Sequence, residues 1–229
     1  MNVTEPVPTL VAQRALEYVH DGAVVGLGTG RAATAFVHAL GARCRDGLRV
    51  RGIPTSQVTA DLATQLGIPL VGLDEVADID VTVDGADEVD PQLNLIKGYG
   101  GALVREKIVA VASRRMIVVV GGEKLVPVLG TRGRLPVEVV PFAVAFCARR
   151  LAALGLRATR RQQEGIPFLS DNGNPILDCE VPAIDHPEQL EQAIVGIPGV
   201  VGTGLFLGIA EIILIEDGQT VQVRQRRPR

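Results

Sequence analysis

Runs of Val, Ile and Leu without polar alternation recur along the first part of the chain, each followed by a segment of helical spacing. A strand that is apolar at every position is buried on both faces, and parallel strands covered by helices satisfy that requirement. The pattern predicts strands at Ala23–Leu27, Leu48–Ile53, Pro69–Val71, Ile79–Val83 and Met116–Val120. It predicts helices at Arg31–Leu40, at Ser56–Leu66 with Gly67 as its stop, and at Ala102–Ser113. An earlier helix begins at the cap residue Thr9, after Pro6 and Pro8, and carries Leu10, Ala15, Tyr18 and Val19 on one side. Ligands of such sheets bind outside the carboxyl ends of the strands, so the loops that follow these strands are where function is expected.

Beyond Leu135-Pro136 the rhythm changes. Val137–Val140, Leu156–Arg161 and Val200–Leu207 read as strands, and Ala143–Leu154 and His186–Ile197 as helices. The Asn-Gly in Asp171-Asn172-Gly173-Asn174 signals a hairpin pairing Pro167–Leu169 with Pro175–Val181. The order β-α-β-β-α-β is that of a ferredoxin-like unit. Glu211–Ile215 and Thr220–Val223 flank Asp217-Gly218 as a last hairpin that returns to the first sheet. The expected architecture is α/β, a Rossmann-like, mostly parallel sheet with helices on both faces, built from residues 1–132 and 208–229. A small ferredoxin-like α+β domain is inserted at 133–207. At 229 residues and 47% hydrophobic, the chain has enough apolar surface for a main core and a small one.

Several function classes are disfavoured. The formal charge is −3 and the charges are dispersed, which suits neither a nucleic-acid face nor a membrane surface. The basic Arg224-Gln-Arg-Arg-Pro-Arg229 reads as a solvated, frayed terminus. With 3% aromatics and no Trp, base-stacking platforms are not expected. No apolar run approaches the roughly 20 residues of a membrane helix, and MNVTEPVPTL lacks the regions of a signal peptide. Cys44, Cys147 and Cys179 are far apart and odd in number, as in a reduced cytoplasmic protein. His20, His38 and His186 show no metal-ligand spacing, and neither a metal nor a cofactor is expected.

Four polar stretches interrupt the apolar pattern where ligands should bind. Gly26-Leu-Gly28-Thr29-Gly30-Arg31 lacks the third glycine of a dinucleotide fingerprint, which leaves either an anion-binding helix N-terminus or a tight turn without ligand. Asp84-Gly85-Ala86-Asp87-Glu88-Val89-Asp90 places four carboxylates within seven positions after a strand. A calcium loop starting at Asp80 fails because its last acidic position falls on Pro91. Asp78-x-Asp80-x-Thr82 has its apolar run on the wrong side for an aspartyl-phosphate motif. Lys97-Gly98-Tyr99-Gly100-Gly101 opens a helix that carries Glu106 in its first turns, and Gly121-Gly122-Glu123-Lys124 follows the next strand. Glycine nests, two lysines and several carboxylates, without a nucleophilic Ser or Cys, suit a small phosphorylated substrate and proton transfer.

The stretches GLGTG, TVDGADEVD, LIKGYGGALVREKI, GEK, LPVEVVPFA, LSDNGNPILDCEV and IPGVVGTGLF stand in that order. Together they resemble ribose-5-phosphate isomerase of type A, over about residues 10–215. The resemblance implies interconversion of ribose 5-phosphate and ribulose 5-phosphate through an enediolate in the non-oxidative pentose phosphate pathway, without a metal, by a homo-oligomer (dimer or tetramer). It implies Glu106 as the base between C1 and C2 and Asp84 as a catalytic group in ring opening. Lys97 would be the third catalytic residue, holding the enediolate. Substrate-binding positions implied are Thr29, Gly30, Arg31, Ala32, Asp84, Gly85, Ala86, Asp87, Lys97, Gly98, Tyr99, Gly100 and Lys124.

Two positions depart from the family pattern. GTGST is common where this chain has Gly28-Thr29-Gly30-Arg31-Ala32, so two hydroxyls are lost and a guanidinium is gained. Tyr99 stands where glycine is usual and is expected to line the pocket. An N-terminal lysine of some members has no counterpart around Pro8. The altered loop keeps two alternatives open: an isomerase of the same fold for another aldose phosphate, and a non-catalytic sugar-phosphate sensor.

Overall fold

The computed structural model describes residues 9–226. In chain order its helices are α1 (Leu10–Leu16), α2 (Arg31–Arg45), α3 (Gln57–Gln65), α4 (Leu103–Val111), α5 (Val144–Ala153) and α6 (Pro187–Val195). The strands begin with β1 (Val24–Leu27), β2 (Arg51–Pro54), β3 (Val81–Asp84), β4 (Glu88–Val89), β5 (Leu95–Ile96), β6 (Met116–Gly121) and β7 (Arg134–Val139). They continue with β8 (Arg157–Arg160), β9 (Gln162–Gln163), β10 (Ile166–Pro167) and β11 (Ile176–Glu180). The last are β12 (Val200–Thr203), β13 (Leu205–Phe206), β14 (Ile212–Asp217) and β15 (Thr220–Gln225).

Two compact units result. The first takes the chain up to Gly85, Arg105–Glu123 and the chain from Ile209. Its sheet has the order β15-β14-β6-β3-β1-β2, parallel except for the edge strand β15. The mostly parallel α/β sheet expected from the apolar runs is thus present. Strand residues alternate between two apolar layers. Val25, Leu27, Val81, Val83, Ile117 and Val119 pack with Val11 and Ala15 of α1 and Phe36 and Leu40 of α2. Val24, Ile53 and Ile79 face the other way, onto Val109 of α4. The order reverses between β1 and β3, and at such a switch point the loops leave in opposite directions and open a crevice.

The second unit takes Ala86–Val104 and Lys124–Gly208. Its four-stranded antiparallel sheet has the order β12-β7-β11-β8, in which the four strands rank fourth, first, third and second along the chain. With α5 and α6 between them, this is the β-α-β-β-α-β arrangement expected. Leu135, Val137 and Val139 of β7 pack with Leu177 and Cys179 of β11, Cys147 and Leu151 of α5, and Ile194 of α6.

Some expectations are corrected. Pro69–Val71 makes only a bridge from Leu70 to Gly52, in which Gly52 N donates to the Pro69 carbonyl at 2.7 Å and Val71 N to the Gly52 carbonyl at 3.0 Å. Leu169 and Pro175 make a single bridge, and β11 instead pairs on both edges with β7 and β8. The Asn-Gly loop serves another purpose: Ser170 Oγ, Asn172 Nδ2 and Asn174 Nδ2 donate to Oε1 of the buried Glu138 at 3.0, 3.0 and 2.9 Å. Val200–Leu207 is two strands in different sheets, since β13 pairs with β5 in a small sheet β13-β5-β4. That pairing groups residues 86–104 with the second unit, whereas the sequence put them in the main domain. The basic tail is ordered at its start: Arg224 lies in β15 and Arg226 Nε donates to the Ala210 carbonyl at 3.0 Å. Arg227, Pro228 and Arg229, like Pro6 and Pro8, lie outside the described residues. No described helix is long and apolar enough to cross a membrane.

The cysteines are all free thiols. Burial pushes the Cys179 thiol up to about 12, with Asp178 adding to the shift, and burial also raises Cys147 and Cys44. A thiolate is the reactive form. Native protein at about pH 8 is therefore expected to leave Cys147 and Cys179 unlabelled by a thiol reagent, whereas all three react after denaturation. Prompt native labelling of either buried residue, located by peptide mapping, contradicts this.

Candidate active site

The candidate residues fall in both units, and each set has its own geometry. In the first unit the glycines of the β1–α2 loop have distinct causes. Gly26 faces Thr82 across the β1–β3 pair, and a Cβ there would lie 1.9 Å from Thr82 Oγ1. A Cβ on Gly28 would lie 2.3 Å from the carboxyl carbon of Asp84. Both positions are closed to side chains by the neighbouring strand. Gly30 has open space around it but a φ of +98°, a conformation in which other residues are strained, and it is the N-cap of α2. The cap supplies no side chain, so the first amides of α2, at Arg31 and Ala32, lack intrahelical acceptors. The Arg31 side chain is exposed and ion-pairs with no carboxylate among the described residues.

Asp84 ends β3 and is fully buried. Its Oδ1 accepts from the amides of Thr29 at 3.1 Å and Gly85 at 2.7 Å, which ties the end of β3 to the β1–α2 loop across the switch point. Ala32 lies beside Gly85, 3.9 Å from where a Cβ on that glycine would stand. Glu106 is in the first turn of α4 and only 4% exposed. The end of α4 is fixed to the start of β3, where Arg114 N donates to the Ile79 carbonyl at 2.8 Å. The first turn of α4 therefore lies toward the opposite, carboxyl ends of the strands. Glu106 stands three residues before Val109 on one helix face, the face that meets β1. The structure thus brings Asp84, Gly85, Glu106 and Thr29 to Ala32 to one end of this sheet.

Sequence reasoning missed a group here. Thr29 Oγ1 meets Thr55 Oγ1 at 2.7 Å, Ser56 Oγ at 2.8 Å and Thr59 Oγ1 at 3.2 Å. Thr55 and Thr59 in turn donate to the carbonyls of Leu27 and Gly28. This buried hydroxyl cluster fastens the β1–α2 loop from beneath. The only signal in the chain was Ser56 as a helix cap, a local role it also fills.

In the second unit Asp87 Oδ2 accepts from Tyr99 N at 2.9 Å, joining the DGADE and KGYGG segments. Lys97 is 2% exposed; its amide donates to the Gly204 carbonyl at 2.9 Å, and its Nζ stands 5.6 Å from the centre of the Phe206 ring. Gly98 has a φ of +99° and its carbonyl accepts from Gly101 N at 3.0 Å, so Tyr99 and Gly100 are the middle of a tight turn. The Tyr99 ring packs under the Arg134 guanidinium at 3.8 Å, and its hydroxyl donates to the Arg134 carbonyl. Burial, with Glu88 and Asp87 nearby, pushes that hydroxyl up to about 12, so it is neutral near pH 7. Ala86 and Lys124 are half-buried, Lys124 closing a short 3₁₀ turn.

Other carboxylates of the acidic run are structural. The buried Glu88 accepts from Gly130 N at 2.6 Å and Arg132 N at 2.7 Å, and Asp90 accepts from Asn94 N at 2.8 Å. Asp80 accepts from Val24 N at 2.8 Å and Asp78 pairs with Arg114 at 2.9 Å. Among the described residues no group of three or more His, Cys, Asp or Glu side chains is arranged to hold a metal.

The sequence agrees with this picture of the site. Residues 51–220 match the family described as ribose 5-phosphate isomerase A (phosphoriboisomerase A). The ribose-5-phosphate isomerase A of Roseiflexus sp. (strain RS-1) is 53% identical over 207 residues, covering 89% of each chain. The solved ribose 5-phosphate isomerase A of Methanocaldococcus jannaschii superposes with a TM-score of 0.90 at 42% identity, over 94% of this chain and 96% of that one. A solved D-ribose-5-phosphate isomerase in complex with phospho-erythronic acid superposes with a TM-score of 0.91 at 40% identity, with the same coverage. A family match over residues 51–220 and identity at this level over nearly the whole length show that the chain belongs to the ribose 5-phosphate isomerase A family.

Proposed function

We propose that the chain interconverts D-ribose 5-phosphate and D-ribulose 5-phosphate by proton transfer between C2 and C1, within the non-oxidative pentose phosphate pathway. The observation that supports this most is the buried Glu106 carboxylate in the first turn of α4, at the strand ends where Asp84 is also buried. Glu106 takes the proton from C2 of the open aldose, leaving a 1,2-enediolate with its charge on O1; the hydroxyl proton of O2 passes to O1, and Glu106 returns its proton to C1 as C2 and O2 become the ketone. A positioned general base of this kind contributes about 10²–10⁴ in rate. Asp84 moves a proton during ring opening. Lys97 and the amides of Gly98 to Gly100 hold the developing oxygen charge, as preorganised donors do in other enolising sites. Asp87 and the Gly85-Ala86 backbone hold sugar hydroxyls.

The phosphate lies at the N-terminus of α2, on the amides of Thr29 to Ala32, with Arg31 as its cation, and Lys124 is a further substrate-binding residue. A cation in the first turn of a helix opposes the dipole by about 0.3–1 kcal/mol, and a bound dianion relieves that conflict. Binding of a phosphorylated sugar acid by a solved relative supports a phosphorylated sugar as the ligand. The enzyme acts as a cytoplasmic homo-oligomer without a metal ion.

Purified protein should form ketose from ribose 5-phosphate with EDTA present. Absence of turnover on ribose 5-phosphate, with turnover on another aldose phosphate, replaces this reading with the same-fold alternative. Arg31→Ala is expected to raise KM by about 10-fold or more with kcat little changed, the loss of a charge-assisted hydrogen bond of about 1.5–3 kcal/mol. An unchanged KM removes Arg31 from the phosphate site.

A further inference from the structure

Arg161 comes from the strand end after β8, and nothing about its sequence neighbourhood connects it with the reaction. Its side chain is only 9% exposed. Its guanidinium is anchored by both oxygens of Asp178: Nε donates to Oδ2 at 2.9 Å and Nη2 to Oδ1 at 2.5 Å. Its backbone is fixed as well, with Arg161 N donating to the Ile176 carbonyl at 2.8 Å and its own carbonyl accepting from Phe168 N at 3.0 Å. The Phe168 ring lies 5.7 Å from the guanidinium and so close to Gly101 that a Cβ there would stand 2.4 Å from it. The arginine therefore has one orientation.

The remaining nitrogen is spent on the KGYGG turn. Nη1 donates to the Gly98 carbonyl at 2.9 Å and to the Tyr99 carbonyl at 3.2 Å. In a planar trans peptide the carbonyl and the following amide point in opposite directions. Drawing the Gly98 carbonyl toward Arg161 turns the Tyr99 amide away from it, and that amide meets Asp87 Oδ2 at 2.9 Å. Drawing the Tyr99 carbonyl the same way turns the Gly100 amide away from Arg161 too. A tight turn with glycine at its second central position has other peptide orientations within reach, and one fixed nitrogen holding two successive carbonyls removes them.

We infer that Arg161, held by Asp178, is a positioning residue for the isomerisation: by fixing two carbonyls it keeps the Tyr99 amide on Asp87 and presents the Gly100 amide on the same side, preorganised for the enediolate. This rests on the proposed role of the KGYGG amides in holding the substrate oxygens. Donors that are aimed in advance act on the transition state more than on the bound sugar, and each is worth about 10²–10³ in kcat. Loss of the anchor is thus a kcat effect.

Arg161→Met alone leaves the Asp178 carboxylate with only the more distant Arg134, whose Nε is 3.8 Å from Oδ1, so the double variant R161M/D178N removes the directly hydrogen-bonded charges together. Arg161→Lys retains a cation against Asp178 but not the fork. Three quantities are measured on each: kcat, KM for ribose 5-phosphate, and the exchange rates of the Tyr99 and Gly100 amides by NMR. We expect the double variant to exchange both amides faster, to lose at least about 10-fold in kcat, and to keep KM within about 3-fold. Arg161→Lys should fall between it and the parent, and it carries the comparison alone if the double variant does not fold. Unchanged exchange overturns the positioning role of Arg161 whatever happens to kcat. Faster exchange with unchanged kcat locates the error in the loop reading and overturns the inference with it.

Discussion

Glu106→Gln is expected to lower kcat by at least about 10² while KM moves no more than a few-fold. The substitution keeps the shape of the side chain and its place in the first turn of α4, so packing around a residue 4% exposed is preserved. It removes the only thing the proposed step needs from that position, a carboxylate that can accept a proton from carbon. A factor of 10² corresponds to about 2.7 kcal/mol of lost transition-state stabilisation. The effect on folding is a separate quantity, to which the carboxylate's place in a first helical turn contributes about 0.3–1 kcal/mol. Steady-state kinetics alongside thermal melting separate the two. Full kcat in the Gln variant would rule out Glu106 as the base and return attention to Asp84.

Glu88→Ala is expected to show the opposite pattern, a large loss of stability with far less change in the kcat of the folded protein. Glu88 is a neighbour of Asp87 in the acidic run, yet its two oxygens are engaged by the amides of Gly130 and Arg132. Truncation leaves two donors without their acceptor, at about 1–3 kcal/mol each when buried. Gly130 is itself fixed, with a φ of +87° and a Cβ position closed by the Pro182 carbonyl at 2.2 Å. For a chain of this size the cost translates to a fall in Tm on the order of 10 °C. A variant that melts like the parent would show that these hydrogen bonds contribute little net free energy. One short acidic segment thus serves two ends, and the two substitutions tell them apart by what they damage.

The alternation of β and α elements was legible because strands buried on both faces must be continuously apolar, which leaves a signal in β1, β3 and β6 that needs no partner to be recognised. The two-residue strands β4, β5 and β13 were not, since two residues have no period. The Asn172-Gly173 turn was seen, and Leu169 meets Pro175 across it as a single bridge; the buried Glu138 that holds this loop was not, because a turn signal is local and Glu138 lies more than thirty positions away. The site shows the same divide. Glu106, Asp84 and the glycine turn were candidates by motif. The cause of Gly26 and Gly28 was not phosphate approach alone but side chains on β3, which come near only once the sheet exists. The hydroxyls of Thr55, Ser56 and Thr59 were not singled out, because their common partner Thr29 is distant in sequence.

The position of β14 has a consequence for how the molecule is made. It lies between β6 and β15 in the first sheet, yet it follows the whole of Lys124–Gly208 along the chain. A ribosome therefore completes the second unit before it delivers the strand that closes the first. Until then one edge of β6, with Ile117 and Val119 beside it, stands without the strand that covers it. The catalytic sheet is finished late, and the quality of the enzyme depends on an unpaired edge being kept from other chains while translation proceeds.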